Sequence, residues 1–302
     1  MNQPKVSNRN VSARIARLFV HPVKSCAGVE VQELLLTATG PELDRAWMVV
    51  DAQGGFVTQR EHPRLALVHP QLTHYELVLG TPGMRDLHIA IDLMKRPVLV
   101  KVWDDEVPAF DMGDEAAKWF TDFLSKSENS SPCSSHNAYR LVRFDPACQR
   151  VSNPKWTGGV QALNQFNDGF PLLLLSEASH AQLNGRLTAV GHTGVGIERF
   201  RPNVVLSGLQ PHDEDLLGVI YVEAGGEQVM LKPVKPCPRC PIPNVDPLTA
   251  LSSPEVGDIL QSYRQDARLD GAVTFGMNAI IIRGIGATLR VGQSVSADFD
   301  FE

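Results

Sequence analysis

Short runs of β-forming residues, broken by Pro- and Gly-rich turns, fill the first hundred positions and commit that part of the chain to strands. Residues 14–20 and 29–36 flank the turn segment His21-Pro-Val-Lys-Ser-Cys-Ala-Gly28. Residues 46–51 and 56–59 flank Ala52-Gln-Gly-Gly55, a hairpin signal because paired glycines supply positive φ. Further strands are expected at 65–72, 75–79, 87–91 and 98–103. Strands this short and this closely spaced predict a barrel or a strongly bent sheet.

The pattern then changes. Trp119, Phe120, Phe123 and Leu124 recur at helical spacing and predict a helix over 114–124, capped by Gly113 or Asp114. Residues 126–137 are Ser- and Asn-rich with a proline and read as a loop. A second region follows. Residues 170–175 are an apolar run of buried-strand length, and Ser176 can cap a helix reaching about Leu187. Strands are expected at 203–206, 219–222 and 229–233, and Ser253-Pro254 opens a helix to about Arg264 with Pro at its first position. Residues 273–282 and 288–295 read as closing strands. The fold class is mixed α+β and β-rich, divided at the loop into units of residues 1–125 and 126–302.

Composition narrows the function. Hydrophobic residues are 43% and charged residues 21%, the balance of a folded globular chain. The net charge is −6, which disfavours nucleic acid as a partner, so any anionic ligand must be held by a local basic cluster. No apolar run approaches the roughly 18 residues of a membrane span, and the N-terminus lacks a signal-peptide core. Five scattered cysteines do not form a disulfide framework, so a reducing, cytoplasmic setting is expected.

The densest chemical signal is Lys235-Pro-Cys-Pro-Arg-Cys-Pro-Ile-Pro243. Its prolines fix φ and disfavour helix, so Cys237 and Cys240 are expected on a stiff, extended loop suited to a metal ligand. Four readings stay open. A compact zinc knuckle is excluded, since no Cys or His follows Cys240, but a dispersed zinc site is not. A redox pair would normally sit where a strand enters a helix, and no helical pattern begins before Ser253. A single thiolate could ligate a soft metal beside Arg239 and Lys235. Two structural cysteines would serve no chemistry.

Three further segments could grip an anion. Lys24 and Ser25 lie at a strand-to-strand turn, where ammonium, hydroxyl and backbone N–H groups can surround a phosphate. Arg45 lies at a strand start, and Arg201 and Asn203 bracket a proline at a strand entry. An arginine fork matches phosphate geometry, although each alone is most often a surface residue or a structural ion pair. Cys26, Cys133 and Cys148 lack partner spacing and read as structural. No GxSxG, phosphate-loop or dinucleotide fingerprint appears, and Gly191-His-Thr-Gly-Val-Gly196 reads as a mobile loop.

Taken together, residues 15–29 (IARLFVHPVKSCAGV), 43–50 (LDRAWMVV), 170–179 (FPLLLLSEAS), 200–208 (FRPNVVLSG), 236–247 (PCPRCPIPNVDP) and 291–295 (VGQSV) resemble the MOSC family in order and content. The likeness is to its branch with an N-terminal β-barrel domain, which includes reductases of N-hydroxylated compounds. The resemblance implies an N-terminal β-barrel-like domain followed by a MOSC β-barrel with flanking helices. It implies a molybdenum–molybdopterin cofactor, with Cys240 as the metal ligand and catalytic centre. Lys24, Ser25 and Arg45 match cofactor-holding positions of the first domain. Ser176, Arg201, Asn203 and Arg239 match those of the second. Asp246, near the ligand in sequence, is a candidate proton relay or a turn residue. After the cysteine motif this chain has Pro241-Ile-Pro-Asn244 where the best-known members carry hydroxyl side chains, which bears on substrate preference.

The implied activity is two-electron reduction of a small N-hydroxylated substrate. A sulfur-carrying or sulfurase-like module using Cys240, and a cofactor carrier without turnover, are the alternatives. The chain has no cysteine after Cys240 to build an iron–sulfur relay, and no flavin or nicotinamide motif, so an external electron-transfer protein or reductase is the expected partner.

Overall fold

The computed structural model describes residues 10–125 and 138–301. The stretch 126–137, expected as a loop, lies outside the described residues, and Cys133 with it.

Strand β1 (Val11–Val20) opens the fold. β2 (Trp47–Val50), β3 (Arg96–Val102), β4 (Asp105–Asp111), helix α1 (Asp114–Leu124) and β5 (Arg140–Phe144) follow. The four later strands form an antiparallel sheet in the order β2-β5-β4-β3. A separate meander joins His69–Leu72, Glu76–Gly80 and Leu87–Ala90. Helix α1 buries Phe120 and Phe123 against Trp47, Leu65, Leu77 and Leu141, as its apolar spacing requires. Several expected strands differ. Residues 29–36 divide into Val29–Val31, beside β1, and Glu33–Thr37, and residues 288–295 divide into Thr288–Arg290 and the start of Ser294–Phe299. Residues 56–59 make only the single bridge Val50 to Phe56. Within 65–72, the first part is a 3-10 turn (Pro63–Leu67), because Pro63 presets helical φ at its start.

The second region contains β6 (Leu172–Ser176), α2 (Glu177–Ala189), β7 (Val204–Ser207), β8 (Leu217–Ala224) and β9 (Glu227–Pro238). It ends with α3 (Glu255–Gln261), β10 (Ala272–Arg283) and β11 (Ser294–Phe299). Pro254 caps α3 from outside and is not its first residue. A closed seven-stranded barrel runs β6-β7-β1-β11-β8-β9-β10 and back to β6. Only β6 and β7 are parallel, and α2 is the crossover that joins them. At the closing seam Gly276 has φ 75°, and a Cβ there would stand 2.6 Å from the Leu174 carbonyl oxygen. The seam therefore needs a residue without a side chain.

Ile15, Leu18, Leu174, Val204, Ile220 and Leu231 fill the barrel. Leu175, Val205 and Phe275 face outward and are covered by Leu183 and Leu187 of α2 and by Val256 and Leu260 of α3. Burial on both faces explains why β6 reads as an unbroken apolar run.

The prolines before Cys240 do not make a loop. β9 continues to Pro238, so Cys237 is a strand residue and Cys240 lies just beyond the end. This is possible because β8 leaves β9 after the pair Ile220–Leu231. From Lys232 onward only β10 lies beside it, with register shifts at Pro233 and Pro236. Proline is tolerated where a strand has a free edge or a bulge.

β1 lies between β7 and β11, so the barrel includes the first strand of the chain. Its exit at Val20 carries the segment 21–28 from the barrel to β2, where Val23 bridges Trp47. That crossing builds the site. Among the described residues no helix is long and apolar enough to cross a membrane.

Candidate functional site

A cavity of about 850 Å³ lies where the segment 21–28, the β3–β4 turn, the entry to β7 and the end of β9 meet. Lys24, Ser25, Arg45, Arg201, Asn203, Arg239 and Cys240 all line it. Eight basic side chains against three carboxylates line its wall, in a chain whose net charge is negative. The cavity therefore favours an anionic ligand.

The backbone of the segment is fixed by neighbours. Lys24 N–H donates to the Trp47 carbonyl at 2.8 Å, and Arg45 N–H to the His21 carbonyl at 2.7 Å. Lys24 is buried, and its Nζ donates to the Phe166 carbonyl (2.8 Å) and to Asp168 Oδ1 (2.6 Å). Burial pushes its pKa down, while Asp168 favours the ammonium. Ser25 holds φ 66°, with its carbonyl accepting from Gln59 Nε2. Cys26 is sealed in the core, and burial raises its thiol to about 12, which fits a structural role.

Arg45 is largely committed to scaffolding. Its Nη1 donates to both Asp44 oxygens (2.7 and 2.6 Å) and to Asn203 Oδ1 (3.2 Å), and its Nη2 to the Arg201 carbonyl (3.1 Å). Asn203 is likewise spent. Its Oδ1 also accepts from Leu173 N–H, and its Nδ2 donates to the Phe19 carbonyl and Asp44 Oδ1. Arg201 differs. It sits at φ 57°, and Nη1 donates to the Cys26 carbonyl, but Nη2 is buried with no partner among the described residues. Burial and the nearby Arg45 push its pKa down to about 10. That unmet N–H, in a residue that lines the cavity, sets Arg201 apart from Arg45 and Asn203.

Arg239 ties the end of β9 to two carbonyls. Nε and Nη2 donate to Phe275 O (2.9 and 2.6 Å), and Nη1 to Phe200 O (3.0 Å). This clamp presents the next residue, half-buried Cys240, to the cavity. Burial raises the Cys237 thiol. No group of three or more His, Cys, Asp or Glu among the described residues is placed to hold a metal ion, so a metal here would depend on the thiol and on its own ligands.

Two named residues are not brought to the cavity. Ser176 is fully buried, caps α2 through Ser179 N–H (3.0 Å), and donates to Glu214 Oε2 (2.8 Å). Asp246 accepts from Leu248 and Thr249 N–H in a turn and pairs with Arg199 at 2.7 Å. It acts behind the cavity wall, on Arg199, whose buried Nε is itself unpartnered among the described residues. Sequence reasoning passed over Arg60, Arg150, Arg199, Asp168, Phe56 and Trp103, all of which line the cavity. None sits in a local motif, and they meet only through tertiary folding.

The fold and site define a two-part strand-built protein with a basic cavity beside a cysteine thiol. The chain belongs to the MOSC family: residues 12–127 match the MOSC N-terminal beta barrel domain, and residues 162–296 match the MOSC domain. It is 34% identical over 297 residues to mitochondrial amidoxime reducing component 2 of Rattus norvegicus, covering 93% of this chain and 82% of the relative. It is 33% identical over 294 residues to mitochondrial amidoxime-reducing component 1 of Homo sapiens, covering 93% and 82%. Among solved structures, the YUAD protein from Bacillus subtilis aligns over 97% of this chain and 98% of its own at 12% identity, with a TM-score of 0.41.

Proposed function

We propose that this chain is a molybdenum-cofactor-dependent reductase of small N-hydroxylated compounds. The observation that carries the reading is a half-buried cysteine thiol in the same cavity as eight basic side chains. That combination suits a ligand with a soft metal at one end and an anionic group at the other. Likeness to the amidoxime reducing components supplies the substrate class.

In this reading Cys240 Sγ holds the molybdenum, and Arg201, Lys24 and Ser25 hold the pterin and its phosphate. Arg45 and Asn203 keep Arg201 in place, and Arg239 aims Cys240 through its clamp on Phe275 and Phe200. When bound, the group supplies two-electron reduction of the N–O bond. The net change is R–NH–OH plus two electrons and two protons to R–NH2 and water. Lys24 Nζ donates to Asp168 Oδ1 at 2.6 Å, an ion pair in the cavity wall. Residues 1–125 and 126–302 act as two units that share the barrel through β1. The electrons come from a separate reductase or carrier protein.

Elemental analysis of the purified protein tests the reading. Stoichiometric molybdenum, with reduction of benzamidoxime by an artificial one-electron donor, is expected. Labile sulfur on Cys240 without molybdenum would overturn it in favour of a sulfur carrier. Molybdenum without turnover would reduce it to a carrier of the cofactor.

A further inference from the structure

β3 and β4 are joined by the two-residue turn Trp103-Asp104, since Val102 pairs directly with Asp105. Trp103 has φ 55°, at a position where hairpins of this length ordinarily use glycine. A bulky residue held there is strained, and such strain persists where the surroundings enforce it. They do so here. Trp103 Nε1 donates to Asp168 Oδ1 at 3.2 Å, the same oxygen that takes Lys24. The Arg60 guanidinium lies 4.7 Å from its ring centroid, and Phe56 meets it edge-on at 4.9 Å. The Phe56 loop is in turn bridged to β3 through Gly55 and Lys101. Despite these contacts Trp103 remains 47% exposed, in the wall of the cavity that holds Cys240.

We propose that Trp103, braced by Arg60 and Phe56, is the surface on which the planar ring of a neutral N-hydroxylated substrate stacks. The proposal rests on the reductase reading and adds a specificity-determining residue to it. An indole edge-packed and backed by a guanidinium offers a rigid, flat, apolar contact. The excess of basic side chains around it disfavours a cationic ring and leaves a neutral one as the fitting occupant. Aliphatic N-hydroxylated compounds lack the surface to use it.

Binding is measured on the holoprotein without an electron donor, so that no turnover is needed, using benzamidoxime and acetamidoxime as probes. The wild type is expected to prefer benzamidoxime. Trp103→Leu should shrink that preference by about tenfold, the size of one aromatic stacking contact, and Trp103→Phe should restore part of it. With a donor present, the loss should appear in KM for benzamidoxime. Trp103→Gly places at the turn the residue its φ prefers, so it should keep the fold while losing the ring preference. Pterin content should stay at the wild-type level in all three variants. Equal preference in wild type and Trp103→Leu, or no binding of either probe by the wild type, would overturn the proposal. A fall in pterin content would show instead that the indole packs on the cofactor. If the wild type shows the binding preference but reduces neither probe, the reductase reading fails and the ring platform stands.

Discussion

Replacing Asp44 by alanine should unfold the seam between the two parts of the chain before it alters any chemistry. The carboxylate is 1% exposed and gathers donors from four separate segments. It accepts from His21 N–H (2.8 Å), from Arg45 Nη1 (2.7 and 2.6 Å), from Asn203 Nδ2 (3.0 Å) and from Asn167 Nδ2 (3.3 Å). Without it, Arg45 is a charge only 12% exposed with no carboxylate opposite. Breaking a buried pair from one side costs about 3–5 kcal/mol, and each stranded donor adds about 1–3 kcal/mol, with incomplete additivity. The Asp44→Ala variant should therefore lose at least about 3 kcal/mol in urea unfolding. Most of that penalty is the unpaired guanidinium, so Asp44→Ala combined with Arg45→Met should lose less than the two single losses summed. A single-variant loss below about 1 kcal/mol, the value of an exposed ion pair, or strict additivity in the double variant, would refute the argument.

Three other expectations follow from the same geometry. The His212 imidazole is pushed down to about 4 by burial and by Arg264 and Arg186, so the unfolded chain binds this proton first. Its contribution is present above about pH 6.5 and is lost as the pH falls toward 4; urea midpoints across that window should fall less steeply in His212→Gln. Arg201→Ala should lower pterin content with a smaller loss of stability than Arg45→Ala, because Arg201 lines the cavity and donates to the Cys26 carbonyl, whereas Arg45 holds Asp44, Asn203 and the Arg201 carbonyl; fluorescence of the released pterin and urea melts on the same preparations separate the two. The isolated protein should not use NADH or NADPH directly on benzamidoxime, since the sequence has no flavin or nicotinamide fingerprint; NADH-driven turnover by homogeneous protein would contradict this.

Local patterns were the legible part of the fold. Helix α1 was readable to the residue from its apolar spacing, and β6 from an unbroken run that needs two covering layers. Barrel closure was not readable, because β1 meets β7 and β11 across most of the chain and no local signal encodes that pairing. The prolines of β9 misled for a specific reason: they forbid a central strand, but half of β9 has a neighbour on one side only. At the site, seven of the nine named residues gather in one cavity. Ser176 and Asp246 do not, since short-range capping and turn bonds claim them first. Arg45 lay in a readable motif, yet its commitment to Asp44 and Asn203 depends on residues far away in sequence. Trp103 reads only as the end of an expected strand over 98–103, because a two-residue hairpin turn is recognised by glycine or asparagine and Trp103-Asp104 carries neither.

The central question is which sulfur faces the chemistry. Cys240→Ser and Cys237→Ser should be purified in parallel and assayed for bound molybdenum and for benzamidoxime reduction with an artificial donor. A hydroxyl is a poor substitute for a soft thiolate, so Cys240→Ser should lose reduction while keeping the wild-type fold by circular dichroism, and Cys237→Ser should keep most of both molybdenum and activity. Equal losses in the two variants, or wild-type reduction by Cys240→Ser, would contradict the assignment of Cys240 as the metal ligand.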